Sequence, residues 1–352
     1  MHLMPQLELE NHESAVAIPS PEFDVLRDTA ERNKIILSVG IIEKEGGTLY
    51  CTAVLIGKDG ELLSRHRKLI PTAAERIVWG RGAGDGIQVV NTEFGKMGGL
   101  ICMENYMPAA RLALYQLGVE IYIAPHADDL PSWIASMQHI AKEGRCFLIS
   151  VNQFCKVSDF PADYPPFTAD HHDLSPSGSK WVPDDILNHG GSCIVGPLGT
   201  FIAEPVWDKE EIVYATLNLP DLTEARMDFD PIGSYSRPDV FTLTVNKKSG
   251  TGVYYTTGVN KADILERRRC FLSRAVGPFR SSPINLQIPN FFSRAPHLTV
   301  LAPLDPTTPL PSPNFSHPSI SIAPRSAPKT ESPTLPAAST NYFKPFQHGG
   351  IC

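Results

Sequence analysis

From about residue 35 the chain is a succession of short apolar runs broken by glycine, proline, asparagine or aspartate. Ile35–Val39, Thr52–Ile56, Gly86–Val90, Gly98–Cys102, Ile121–Ala124, Phe147–Val151, Ser192–Val195 and Ile212–Leu217 have the length and punctuation of strands. Glu61–Arg65 reads as another. Elsewhere the apolar spacing is helical. Ser20 followed by Pro21 predicts a helix over 21–30, because serine can cap the open amides and proline at the first helical position has no amide to lose. Pro108–Leu117 and Pro131–Glu143 predict two more, the second with Trp133, Met137 and Ile140 on one stripe. Gly46-Gly47 and Lys58-Asp59-Gly60 stand where hairpin turns belong, so some pairing is antiparallel. Strands interleaved with helices predict a layered α/β domain.

The pattern fails after about residue 250. Fifteen of the 32 prolines fall within residues 271–350, among many serines and threonines, and such a stretch buries too little apolar surface to offset its chain entropy. The chain of 352 residues thus divides into a domain over 1–249 and a Pro/Ser-rich, disordered tail over 250–352. Its 31 Lys and Arg against 38 Asp and Glu give a net charge of -7, the wrong sign for binding nucleic acid through phosphate contacts. No apolar run reaches the roughly 18–20 residues of a membrane span, and the start, Met1–Gln6, lacks the basic and apolar regions of a signal peptide. Seven single cysteines without a C-x-x-C argue against a disulfide framework or structural zinc. The expectation is a soluble, cytoplasmic protein without nucleic-acid or membrane partners.

Gly98–Pro108 is the most informative segment. An apolar strand enters, Cys102 stands at its exit, and Pro108 opens a helix. A thiol at a strand-to-helix turn faces a pocket and the positive end of a helix, and both favour the nucleophilic thiolate. By itself, however, a cysteine at a strand end is more often an inert buried thiol. His66-Arg67-Lys68-Leu69-Ile70-Pro71-Thr72 with Glu75 is the second cluster: a lysine at a strand exit can stabilise an anion and a carboxylate can orient it. The commoner alternative for such a run is a solvated basic face. His126, Asp128 and Asp129 follow a strand but form only a weak metal motif, and His171-His172-Asp173 falls in a Pro/Ser-rich loop that faces solvent. No G-x-S-x-G, P-loop or G-x-G-x-x-G stands in a suitable setting; Gly80–Gly84 reads as a loop.

Taken in order, these segments resemble the nitrilase branch of the carbon–nitrogen hydrolase superfamily, in its fungal arylacetonitrilase-like form, from about Val16 to Val245. The landmarks are Pro19–Glu22, Gly47–Tyr50, His66–Leu69 with Glu75-Arg76 and Trp79-Gly80, Gly98–Pro108, Trp133–Met137, His139–Ala141, Glu143–Phe147, and the Gly190-Gly191-Ser192 and Gly196-Pro197 turns. The resemblance implies an α-β-β-α four-layer sandwich, a thiol mechanism without metal or organic cofactor, and a small-molecule nitrile as substrate. By motif it puts the nucleophile on Cys102, the catalytic lysine on Lys68 and its supporting glutamate on Glu75, with Met103, His126 and Trp133 at the substrate pocket. It also implies a homo-oligomer, either a dimer or a spiral assembly.

Two departures accompany it. Met103 stands where nitrilases usually carry tryptophan. The family also opens with a strand, a helix and a strand ending in a general-base glutamate, and neither Glu8, Glu10 nor Glu13 sits in that motif. The expectation is therefore an N-terminally truncated member whose sheet has unpaired edges, with nitrile hydrolysis as the leading activity. The alternatives are an amidase of the same superfamily and an inactive homologue that serves only as an oligomer partner.

Overall fold

The chain enters its first sheet through β1 (Val16–Ala17) and then forms α1 (Pro21–Asn33). Ser20 caps α1: its Oγ accepts the Phe23 N–H at 3.2 Å, while Glu22 and Asp24 lie in the first turn, where the helix dipole favours carboxylates. A meander follows, β2 (Ile36–Glu45), β3 (Thr48–Ile56) and β4 (Leu62–Arg67), joined at the two glycine turns that the sequence marks. Gly46 and Gly60 turn the chain there with φ of 60° and 74°. One helical turn, α2 (Glu75–Val78), leads to the second sheet.

That sheet is built from β5 (Val90–Thr92), β6 (Gly95–Gly99), α3 (Pro108–Gln116), β7 (Ile121–Pro125), α4 (Pro131–Gly144), β8 (Phe147–Val151), β9 (Phe154–Lys156), β10 (Ile186–Val195) and β11 (Phe201–Trp207). Strands β6, β7 and β8 are parallel neighbours joined by the two helices, so their C-terminal ends lie along one edge. The chain returns through β12 (Val213–Leu217) and α5 (Pro220–Asp228), and two later strands, β13 (Ile284–Ile288) and β14 (Leu298–Pro303), complete the first sheet. The computed structural model describes residues 12–161, 167, 180–247, 284–288 and 298–303, the last two segments as backbone.

The first sheet has the order β12-β13-β14-β2-β3-β4 with β1 on β2, and the second the order β11-β10-β8-β7-β6-β5 with β9 on β10. Strand alternation assigns the layers. Leu37, Val39, Ile41, Val54 and Ile56 face α1, where they bury Phe23 and Ala30. Their neighbours Ile36 and Leu55 face inward and meet Met97, Ile121, Ile123, Phe147 and Ile149 of the second sheet. The opposite face of that sheet, with Tyr122, Ala124 and Leu148, packs on Leu114, Trp133, Met137 and Ile140 of α3 and α4. Helix, sheet, sheet and helix therefore stack as the four layers expected of the sequence.

Three expectations need correction. The run Gly86–Val90 is not a strand: Gly84–Gly86 form a 3-10 turn, and pairing with β6 begins only at Val90. Ile87 is buried there without a ladder partner, so its apolarity reports core contact rather than a strand. Strand β11 escaped the apolar reading because Glu204 and Pro205 interrupt it. The stretch after residue 250 is not irregular throughout: β13 and β14 occupy the sheet between β12 and β2, and Ile284-Asn285-Leu286-Gln287-Ile288 has the strict alternation of a strand. Strand β2 has partners on both flanks, β3 on one of them. Strand β14 pairs it over Ile36–Val39, and β1 pairs the same side at Glu43 and Lys44. The His171-His172-Asp173 loop, Glu8, Glu10 and most of the tail lie outside the described residues, while Glu13 is exposed.

Candidate active site

The run His66-Arg67-Lys68 leaves β4 with three adjacent cationic side chains, and each meets a different carboxylate. His66 Nε2 lies 2.9 Å from Glu104 Oε2, Arg67 Nε donates to Glu43 Oε2 at 3.0 Å, and Lys68 Nζ donates to Glu75 Oε2 at 2.8 Å. Lys68 is only 1% exposed. A solvated basic face is therefore not what this run forms. The Arg67 guanidinium also covers the Tyr50 ring at 3.8 Å, which fixes the strand exit from the other side. Glu75 is held in turn by the Thr72 N–H, which donates to its Oε2 at 2.6 Å. The Gly80–Gly84 loop passes so close that a Cβ on Gly82 would lie 2.0 Å from the Arg67 carbonyl oxygen, and the Gly82 N–H donates to the Lys68 carbonyl at 2.8 Å.

Cys102 lies beyond β6 and opens a 3-10 turn over Cys102–Tyr106, with a φ of 50°. A left-handed backbone at a residue with a Cβ is costly and persists only where the surroundings enforce it. Asn105 does so. Its Nδ2 donates to the carbonyls of Leu100 and Cys102 at 3.0 and 2.9 Å, and its Oδ1 accepts the Tyr122 hydroxyl at 2.8 Å. Gly99 brings the turn against β7: a Cβ there would lie 1.8 Å from the Ile123 carbonyl oxygen.

Cys51 on β3 reports how these parts converge. Burial pushes its thiol up to about 12, and Lys68, Glu75, Glu104 and Cys102 all act on it electrostatically. The ammonium, both carboxylates and the second thiol thus lie within electrostatic reach of Cys51, and Cys51 and Cys102 share a cluster with Trp79 and Ile101. Burial likewise pushes Cys146 and Cys193 up to about 12 and Cys155 to about 11, which keeps these thiols protonated at neutral pH.

The expected pocket residues fall in two layers. Met103 and Tyr106, in the same 3-10 turn as Cys102, are 44% and 41% exposed. Trp133 and His126 are buried behind them: Tyr106 meets Trp133 edge-on at 5.7 Å, and Trp133 stacks on His126 at 4.3 Å. Trp133 Nε1 donates to Ser150 Oγ at 2.9 Å, Ser150 Oγ in turn pairs with His126 Nε2 at 2.8 Å, and His126 Nδ1 donates to the Asp128 carbonyl at 2.9 Å. Both ring nitrogens of His126 are thereby engaged within the protein. Asp129 turns to a different partner, the His189 N–H, at 3.0 Å. Among the described residues no group of three His, Cys, Asp or Glu side chains could hold a metal ion, and no helix is long and apolar enough to cross a membrane.

Glu104, Asn105 and His66 are the site residues that motif reading passed over. All three are buried polar side chains, each with a partner at least 17 residues away in the chain. The available signal was polar residues placed directly after an apolar strand exit, where solvation alone does not require them.

Comparisons with known proteins bear on the family and the fold. Residues 4–227 match the Carbon-nitrogen hydrolase family. The chain is 45% identical over 253 residues to Nitrilase 2 of Arabidopsis thaliana, covering 72% of this chain and 73% of that protein. It is 43% identical over 252 residues to the bifunctional nitrilase/nitrile hydratase NIT4A of Lupinus angustifolius, covering 72% and 70%. Among solved structures, a carbon–nitrogen hydrolase from Helicobacter pylori G27 superimposes with a TM-score of 0.51 at 26% identity, over 62% of this chain and 73% of that one.

Proposed function

The chain belongs to the carbon–nitrogen hydrolase family and, within it, to the nitrilase branch, and from that we propose that it converts an organic nitrile to a carboxylic acid and ammonia through Cys102. The observation that carries this reading is that the Glu104 carboxylate accepts both the Leu69 N–H, next to Lys68, and the Ile101 N–H, next to Cys102, so that the buried Lys68–Glu75 pair and the thiol belong to one site. The Cys102 sulfur adds to the nitrile carbon, and the nitrogen takes up a proton as a thioimidate forms. Lys68, oriented by Glu75, stabilises the negative charge that develops on that nitrogen. Water then adds to the same carbon. Loss of ammonia leaves a thioester, which a second water cleaves to the acid while the thiol regains its proton.

The same tetrahedral intermediate can instead expel the thiol, which releases the amide. Relatives named as bifunctional nitrilase/nitrile hydratases favour giving that branch a place in the reading. Which product dominates depends on whether nitrogen or sulfur leaves as the better-protonated group. The Met103 side chain and the Tyr106 ring, both partly exposed beside Cys102 in sequence, suit a substrate with a hydrophobic substituent.

The test is incubation with an arylacetonitrile and its matching amide, with ammonia and amide both quantified. Nitrile turnover is expected, and Cys102→Ala should lower it by roughly 10³-fold or more. Ammonia release from the amide alone would replace the nitrile reading with an amidase, and undiminished turnover in the variant would sink the thiol mechanism.

A further inference from the structure

Glu104 lies two residues beyond Cys102, and its carboxylate reaches both halves of the site. Oε1 accepts the Leu69 N–H at 2.6 Å, and Oε2 accepts the Ile101 N–H at 2.7 Å. Leu69 directly follows Lys68, and Ile101 directly precedes Cys102. One carboxylate therefore ties the backbone beside the ammonium to the backbone beside the thiol.

His66 holds that carboxylate in place. Its Nδ1 faces the Gly86 carbonyl at 3.0 Å, and a carbonyl only accepts, so Nδ1 carries a proton. Its Nε2 faces Glu104 Oε2 at 2.9 Å, and two lone pairs do not approach so closely without a proton between them. The pair thus shares a proton whichever atom it is drawn on. Glu104 is 1% exposed, and a buried carboxylate is a poor choice for stability alone, because desolvation offsets much of what its hydrogen bonds return. What it does better than a neutral group is accept several N–H donors at once, in fixed directions.

Resting on the nitrile reading above, we propose that Glu104, braced by His66, is a positioning residue that sets the separation and orientation of Cys102 relative to Lys68. It acts through two backbone amides and not on the substrate. The sulfur and the ammonium must reach adjacent atoms of one nitrile, so an error of about 1 Å in their placement is enough to cost about 10²-fold in rate.

The experiment compares wild type with Glu104→Gln, His66→Ala and His66→Gln by kcat and KM on a nitrile. The rate at which iodoacetamide alkylates Cys102 is followed in parallel by peptide mass spectrometry. A glutamine at 104 keeps one acceptor oxygen but turns an NH2 group toward one of the two amides. A glutamine at 66 restores an N–H toward Glu104. In Glu104→Gln and His66→Ala, kcat is expected to fall by about 10²-fold with KM changed by less than about 3-fold, and Cys102 alkylation to slow by about 10-fold; His66→Gln is expected to recover most of both losses. Folded Glu104→Gln and His66→Ala with kcat and alkylation within about 2-fold of wild type would overturn the proposal. Should Glu104→Gln not fold, the two His66 variants decide: rescue by glutamine supports the proposal, and equal rates in the two overturn it. Alkylation requires no turnover. A wild-type chain inert toward nitriles would therefore overturn the functional reading, while the alkylation rates would still settle the positioning role.

Discussion

Lys68 and Glu75 share a dry recess, and a charge in such a place is tolerated only while its partner remains. Lys68→Met leaves Glu75 buried without its cation and should lower the free energy of unfolding by about 3–5 kcal/mol. Adding Glu75→Leu should recover most of that loss in urea melts, because an apolar pair of similar volume replaces the ion pair, yet the double variant should remain inactive toward nitriles. A second expectation concerns acidity. Burial pushes the His66 imidazole down, but the Glu104 charge, its hydrogen bond and the Gly86 carbonyl outweigh burial and hold it above the ordinary histidine value. Glu104 is the charged group that acts on it, from the Cys102 turn. The folded chain thus holds this proton more tightly than the unfolded one. The stabilisation is complete below about pH 6.5, the unfolded value, and is lost as pH rises through the higher folded value. Urea midpoints measured across that range should decline for wild type, and His66→Gln should flatten the decline. Cys102 and Lys68 stand out as candidates in the sequence because each lies at or just after a strand exit, and Glu75 because of the motif it shares with Lys68. Glu104 and His66 do not, since their meaning lies in contacts 35 and 38 residues away along the chain.

Elements with a strong period were read with little error. Trp133, Met137 and Ile140 lie on one stripe of α4, and all three are buried against the second sheet. Met137→Ala should therefore cost about 2–5 kcal/mol by chemical denaturation, whereas Ala135→Ser on the exposed side should stay within about 0.5 kcal/mol. Equal effects would mean that the helix is turned otherwise. Strands β7 and β8 were equally plain, since both faces are covered and the runs are continuously apolar. The errors fell where apolar content and ladder pairing part company. Ile87 is core without being strand, and β11 is strand despite a proline and a glutamate. Composition also misled: in a segment dense in proline, β13 and all but the last residue of β14 are nonetheless free of it.

At the scale of the whole molecule, the first sheet draws neighbouring strands from distant parts of the chain. Strands β13 and β14 sit between β12 and β2, so a chain ended at residue 283 would expose the long flank of β2 and the flank of β12 together. Such open flanks template association, and the shortened protein should elute as large aggregates in size-exclusion chromatography where the full chain does not. A discrete, well-behaved species of the shortened protein would show that the two strands are dispensable. The same arrangement governs how the protein is born. Leu298 pairs with Val39, so at roughly 5–20 residues per second the ribosome needs some tens of seconds to deliver a partner about 260 residues behind β2. Throughout that wait the nascent sheet has a bare side, which makes the growing polypeptide a customer for chaperones until β14 emerges.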